Sequence, residues 1–209
     1  MNICYGQVNF REPLTPQPFD RLNKAFVGGE LKHRHDRWAM CAANNSPSWV
    51  GMARQGDVCL LFLGTFTRNQ PGWSGSTSMD APDEFAAYLL NRYCEKAMDF
   101  LEEVHGTFSM AICDGSRDRF LLVTDHSGIH KWFIKQDDQG VAFSSKLTLL
   151  AEIAEGFALD RTYEEFLLGY EVIPFGHTFY QNIEILPAGT VLMLERGQAS
   201  RKTLPRPGR

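Results

Sequence analysis

No run of this sequence approaches the ~20 consecutive apolar residues that a membrane-spanning helix needs, so no membrane association is expected. Basic residues are not in excess: 21 Lys and Arg stand against 25 Asp and Glu, a net charge of -4. That balance leaves no electrostatic footprint for a nucleic-acid partner. The amino terminus lacks the basic stretch and apolar run of a secretory signal. The five cysteines, at 4, 41, 59, 94 and 113, are odd in number, widely spaced and without a C-x-x-C pair. They argue against a disulfide framework or a zinc–thiolate site and predict reduced thiols in a cytoplasmic protein, four of them as small core residues. His33 and His35 alternate, but no third ligand stands at a metal-like spacing, so no metal is expected. Gly28-Gly29 reads as a turn and not as a phosphate-cradling loop. No cofactor is implied.

What remains is an ordinary globular composition. With 209 residues, 44% of them apolar, the chain suits one domain over 1–200 with a full core. The basic, proline-containing stretch 201–209 is expected to be a disordered tail. Asn2–Asn9 reads as a first strand, residues 11–20 and 28–36 as loops, and Arg37–Ala43 and Ser48–Ala53 as strands. Gly56-Asp57 marks a turn before the strongly apolar strand Val58–Phe66. Asp80-Ala81-Pro82-Asp83 suits a helix start, with Asp80 as cap. Phe85, Leu89, Tyr93, Phe100 and Leu101 then give an apolar stripe, and the helical stretch ends at Val104. Strands follow over Gly106–Asp114, Phe120–Asp125, after Gly128, and over Val141–Ser144. Leu147–Ala154 and Tyr163–Gly169 read as helices and Val191–Glu195 as a last strand. Pattern alone gives mixed α and β with two sheets.

Four ordered blocks carry more. Gly106, Phe108, Ala111 and Asp114 follow the helical stretch. Asp125 and Gly128 precede the bulky pair Trp132-Phe133. Phe143-Ser144-Ser145-Lys146 comes next, and Thr178, Ile183, Leu186, Pro187 and Gly189 close the series. In this the chain resembles the glutamine amidotransferase type 2 domain of the asparagine synthetase family, within the N-terminal-nucleophile hydrolases. The resemblance implies an α+β fold, a four-layer α-β-β-α sandwich of two mainly antiparallel sheets.

The resemblance also says where a site should be, and where this chain departs from the family. The family's nucleophile is a cysteine at the first residue, whose free α-amine serves as base. Here Cys4 is the equivalent, and it qualifies only if Met1, Asn2 and Ile3 are removed. The family's oxyanion hole pairs an asparagine side chain with a glycine N–H. Here Leu63 stands at the asparagine position and Gly64 at the glycine. The glutamine clamp uses an arginine and an aspartate, for which Arg34 and Asp83 are the candidates, with Arg37 and Arg54 as substitutes for the arginine. No Ser-Gly-Gly-x-Asp-Ser motif occurs, so the ATP-using synthetase half of the family is missing.

The expected function is therefore a degenerate amidotransferase domain without glutaminase activity, a structural or partner-binding module for an ATP-dependent amide-forming synthetase. The alternative is an active glutamine-hydrolysing enzyme that delivers ammonia for asparagine synthesis after Cys4 is exposed. Glutamine itself is the small-molecule ligand implied. The late segment Pro174–Gly189, with Phe175 and Tyr180, is the expected docking surface for the synthetase.

Overall fold

The computed structural model describes residues 2–9, 30–34, 37–44, 50–67, 72–73, 80–138, 140–153, 158–174 and 176–206. Their strands form two antiparallel sheets of six. The first contains β1 (Asn2–Asn9), β2 (Glu30–Arg34), β3 (Trp38–Asn44), β8 (Phe133–Gln136), β9 (Gly140–Ser144) and β10 (Ile183–Ile185), in the order β10-β8-β9-β1-β3-β2. The second contains β4 (Val50–Gln55), β5 (Val58–Phe66), β6 (Gly106–Asp114), β7 (Arg119–Thr124), β11 (Thr190–Glu195) and β12 (Gln198–Thr203), in the order β12-β11-β7-β6-β5-β4.

Strand alternation distributes the core over three layers of contact. From β5, Cys59, Leu61 and Leu63 point between the sheets, where they join Cys4, Met40, Ala42, Ala111, Trp132 and Phe143. Leu60 and Phe62 point the other way, under Phe85, Leu89 and Tyr93 of α1 (Pro82–Lys96). Both faces of β5 are covered, which is why its sequence reads as an unbroken apolar run. In the first sheet, Tyr5, Ala39, Cys41 and Ala142 face outward, beneath Leu149 and Leu150 of α2 (Leu147–Ile153). Helix, sheet, sheet and helix thus stack in the four layers expected.

Several local expectations are corrected. Residues 30–34, expected in a loop, form β2, paired with β3 from Glu30↔Ala43 to Arg34↔Ala39. Their sequence has little apolar alternation, and the strand exists because β3 has an edge to pair. Asp80 does not cap α1: the N-cap residue is Ala81, with no side-chain cap bond. The helix breaks at Ala97, whose φ is 49°, and continues as a 3-10 turn over Ala97–Glu103. Arg201–Thr203, assigned to the tail, belong to β12, and Leu204 is buried beyond them. The hairpin that creates β12 turns at Arg196-Gly197, both at positive φ (52° and 77°), the backbone of a tight two-residue connection. The third helix, α3 (Arg161–Tyr170), starts two residues earlier than expected, because Asp160 caps it by accepting from the Thr162 N–H at 3.0 Å.

Candidate active site

The site is built where β1 begins, at one end of the space between the sheets. Cys4 lies within β1, opposite Ala42 of β3. Asn2 and Ile3 before it continue the strand, opposite Asn44 and Ala43. The Cys4 N–H is therefore a strand amide, and it donates to Ser145 Oγ at 3.0 Å. Ser145 N–H returns a bond to the Cys4 carbonyl at 2.8 Å, and Ser144 Oγ donates to the same carbonyl at 3.3 Å. The thiol is 0% exposed and sits in the core shared by the two sheets. Burial pushes its pKa far up, and nearby Cys41 adds to the shift. Held in this way, the thiol is strongly disfavoured from ionising to the thiolate.

Leu63 and Gly64 end the well-buried part of β5. Leu63 faces the inter-sheet core between Val50 and Ser109, its partners across the neighbouring strands, and it has no donor to give. Gly64 is required by geometry. Its φ is 131°, and a Cβ there would fall 2.1 Å from the Thr107 carbonyl oxygen, 2.7 Å from Phe108 Cα and 3.0 Å from His130 Cδ2. Thr65 Oγ1 and Thr107 Oγ1 share a hydrogen bond of 3.2 Å just beyond.

Around these residues the structure gathers further polar groups, of which sequence reasoning singled out Asp125 alone, and only as part of a motif block. Ser109, directly opposite Leu63, is fully buried and donates from Oγ to the His130 carbonyl. The His130 ring is half-buried against Gly64, and burial lowers its pKa, with Asp125 pulling the other way. Asp125 anchors the turn beneath it, accepting from Phe108 N at 3.2 Å, Gly128 N at 2.8 Å and Ser127 Oγ. One signal was visible: Ser109 is the single hydroxyl inside the apolar run Phe108–Cys113.

Three of the clamp candidates are engaged with other partners. Asp83 sits in the first turn of α1, outside the second sheet, where its Oδ1 accepts the Met52 N–H at 3.1 Å and ties the helix to β4. Arg37 is engaged with Asp118 at 2.6 Å, and Arg54 donates to the Gly56 carbonyl at 2.8 Å. Arg34 ends β2, and its side chain lies outside the described residues. Among the described residues no group of three or more His, Cys, Asp or Glu could hold a metal ion.

A family model described as the glutamine amidotransferase domain matches residues 83–204. Asparagine synthetase B [glutamine-hydrolyzing] of Escherichia coli (strain K12) is 31% identical over 81 residues, which cover 39% of this chain and 14% of that protein. Among solved structures, the glutamine phosphoribosylpyrophosphate amidotransferase of B. subtilis, complexed with ADP and GMP, superposes with a TM-score of 0.50 at 12% identity. A structure of the allosteric regulatory enzyme of purine biosynthesis gives 0.52 at 11%. Each superposition covers 97% of this chain and 43% of the other, so this chain spans less than half the length of those enzymes. The likeness in structure is a likeness of fold.

Proposed function

The chain is a member of the glutamine amidotransferase domain family, and from that premise we propose that it is a class II amidotransferase unit without glutaminase activity of its own. Its role is that of a structural or partner-binding module for an ATP-dependent amide-forming synthetase. The observation that carries this reading is the state of Cys4. Its nitrogen is a peptide N–H spent on Ser145, and its thiol is sealed between the sheets. A second departure supports it: Leu63 gives the site a hydrocarbon where a tetrahedral oxyanion needs a donor, a loss that typically costs ~10²–10³ in rate. The five cysteines, none bridged, fit a reducing compartment, the cytoplasm.

The test is glutamate release. The purified full chain, given glutamine, releases no glutamate above a protein-free blank, and a glutamine-analogue alkylator leaves Cys4 unlabelled. Stoichiometric labelling of Cys4 would overturn the reading.

One observation favours an active alternative: the relative that carries glutamine hydrolysis in its name is 31% identical over the matched stretch. On that reading the bond between Ile3 and Cys4 is cut, and the freed α-amine of Cys4 takes up the position now facing Ser145. The enzyme would then hydrolyse glutamine and supply ammonia for asparagine synthesis. A variant lacking Asn2 and Ile3, assayed beside the full chain, separates the two. Activity in the variant alone locates the block in the preceding residues. Inactivity in both locates it in the rest of the site.

The docking surface expected over Pro174–Gly189 is only partly exposed. Tyr180 is half-buried against the core beneath α2, Phe179 is half-buried beside it, and Phe175 lies outside the described residues. The exposed apolar residues of this region are concentrated on α3.

A further inference from the structure

Two cysteines face each other in the second sheet. Cys59 of β5 and Cys113 of β6 are direct partners in the ladder, and both side chains belong to the core between the sheets. Neither is bridged. The ladder bonds fix how close they stand. Gly115 N–H donates to the Asp57 carbonyl at 2.9 Å, and Thr67 N–H donates to the His105 carbonyl at 3.0 Å. Counting by twos from either bond makes Cys59 and Cys113 a hydrogen-bonded pair, whose Cα atoms lie about 5.5 Å apart. That is inside the range of about 4.4–6.8 Å that a disulfide spans. Opposed Cβ atoms in such a pair lie up to about 5.5 Å apart, against about 3.8 Å in a relaxed disulfide. Closing the bond therefore draws the two strands together. Cys4 and Cys41, by contrast, point to opposite faces of the first sheet.

A crevice leads to one of the two sulfurs. At the end of β1 remote from Cys4, a cavity of about 30 Å³ lies between the sheets. Val8, Trp38, Cys113 and Phe120 line it within, and the partly exposed Arg37–Asp118 ion pair lines it at the surface. Cys113 lines it and Cys59 does not. On this measure a water needs roughly 10–15 Å³. The crevice therefore has room for a molecule the size of water or hydrogen peroxide, and none for a common alkylating reagent or a peptide disulfide.

We propose that Cys59 and Cys113 form a peroxide-responsive dithiol, in which hydrogen peroxide entering the crevice oxidises Cys113 and Cys59 then closes a disulfide across β5 and β6. In the first step the O–O bond breaks, an S–O bond forms on Cys113 and one water leaves, giving a sulfenic acid. In the second the Cys59 sulfur attacks the Cys113 sulfur. The S–O bond breaks, the S–S bond forms, and a second water carries off the Cys59 proton. Two thiols lose two electrons in all, and one peroxide is reduced to two waters. Burial keeps both thiols protonated, so the conversion is slow, over hours and not seconds. The dithiol lies at the far end of the sandwich from Cys4 and does not depend on whether the chain hydrolyses glutamine.

Peptide mapping of the reduced full chain after exposure to millimolar hydrogen peroxide tests it. The folded protein should yield a linked pair of peptides carrying Cys59 and Cys113, lighter by two hydrogens than the reduced pair. Glutathione disulfide, too large for the crevice, should form that link many-fold more slowly in folded protein. Cys59→Ala should leave Cys113 carrying added oxygen, and Cys113→Ala should leave Cys59 reduced. An unchanged melting temperature in each variant shows that the fold is kept. Wild-type protein that acquires no such link while Cys94 is oxidised overturns the proposal. So does a link formed equally fast by glutathione disulfide, which would mean that the sheets part to admit it. Oxidation of Cys59 in Cys113→Ala at the wild-type rate overturns it as well, because the peroxide would then not enter through Cys113.

Discussion

Cys4 and Ser145 are bound to each other twice: the Cys4 N–H donates to Ser145 Oγ at 3.0 Å, and the Ser145 N–H donates to the Cys4 carbonyl at 2.8 Å. This closed pair fixes the start of β1 to the end of β9. It also fixes the protonation chemistry, because a peptide N–H in such a bond is a donor and cannot serve as a base.

The first prediction concerns thiol reactivity. Four cysteines are buried and Cys94 is exposed. Burial raises the pKa of Cys4 and of Cys113, and pushes Cys59 up to about 12 with Arg54 pulling slightly the other way. Native protein treated with an alkylating reagent at mildly alkaline pH should be modified at Cys94, with the other four reacting only in denaturant. Peptide mapping checks this. Rapid native labelling of Cys4 would show that the site opens.

The second concerns Leu63. Replacing it with asparagine supplies the amide that the family places there, but into an apolar setting between Val50 and Ser109. Losing the leucine packing and burying an amide should cost about 2–4 kcal/mol in a urea unfolding experiment. Glutamate release should stay at background. A stability-neutral Leu63→Asn would mean that the pocket still accommodates a polar group.

The fold was legible because its signals are local and strong. The runs Val58–Phe66 and Gly106–Asp114 read as strands, and they lie adjacent in the second sheet. Cys4 and Leu63 could be placed by their neighbours in sequence. What the sequence hid is set by pairing partners and not by the segment itself. β2 and β12 are polar strands that exist because an edge is available, and Ser145 meets Cys4 across 141 positions of chain. Asp83 shows the same limit: its carboxylate accepts the Met52 amide on a neighbouring element, a pairing that its place in the sequence does not display.

The third prediction concerns Gly64. At φ 131° and with backbone atoms of Thr107 and Phe108 closer than 3.0 Å to any added Cβ, the position has neither the conformation nor the space for a side chain. Gly64→Ala should therefore destabilise the protein by more than about 2 kcal/mol, since β5 and β6 must part to accept it. Thermal unfolding measures it. Gly56→Ala is the control: its φ is also positive, at 59°, but nothing lies within 4 Å of an added Cβ, so only the backbone strain remains, about 1 kcal/mol.

The last prediction concerns pH and rests on Asp114 at the far end of β6. Its carboxylate accepts from Tyr93 Oη at 2.9 Å, Ser116 Oγ at 2.6 Å, and both the backbone and side chain of Arg117. Burial works to raise the Asp114 pKa, but the bonds from Ser116, Arg117 and Tyr93 outweigh it, and the net shift is downward. A carboxylate with a depressed folded-state pKa contributes stability above its unfolded value of about 3.9, and that contribution fades as pH falls through the folded value. Unfolding free energy should therefore drop with acidification below about pH 4, in part through this residue. Asp114→Asn removes the charge that Arg117 and Tyr93 address and should cost about 1.5–3 kcal/mol at neutral pH. The gap between wild type and variant should narrow steadily as pH falls below 4, because the wild type loses the same charge by protonation. Urea titrations of both proteins from pH 7 down to the acid limit of folding measure that gap. A gap that stays constant with pH would mean that Asp114 stabilises the fold by shape and neutral hydrogen bonding, not as an anion.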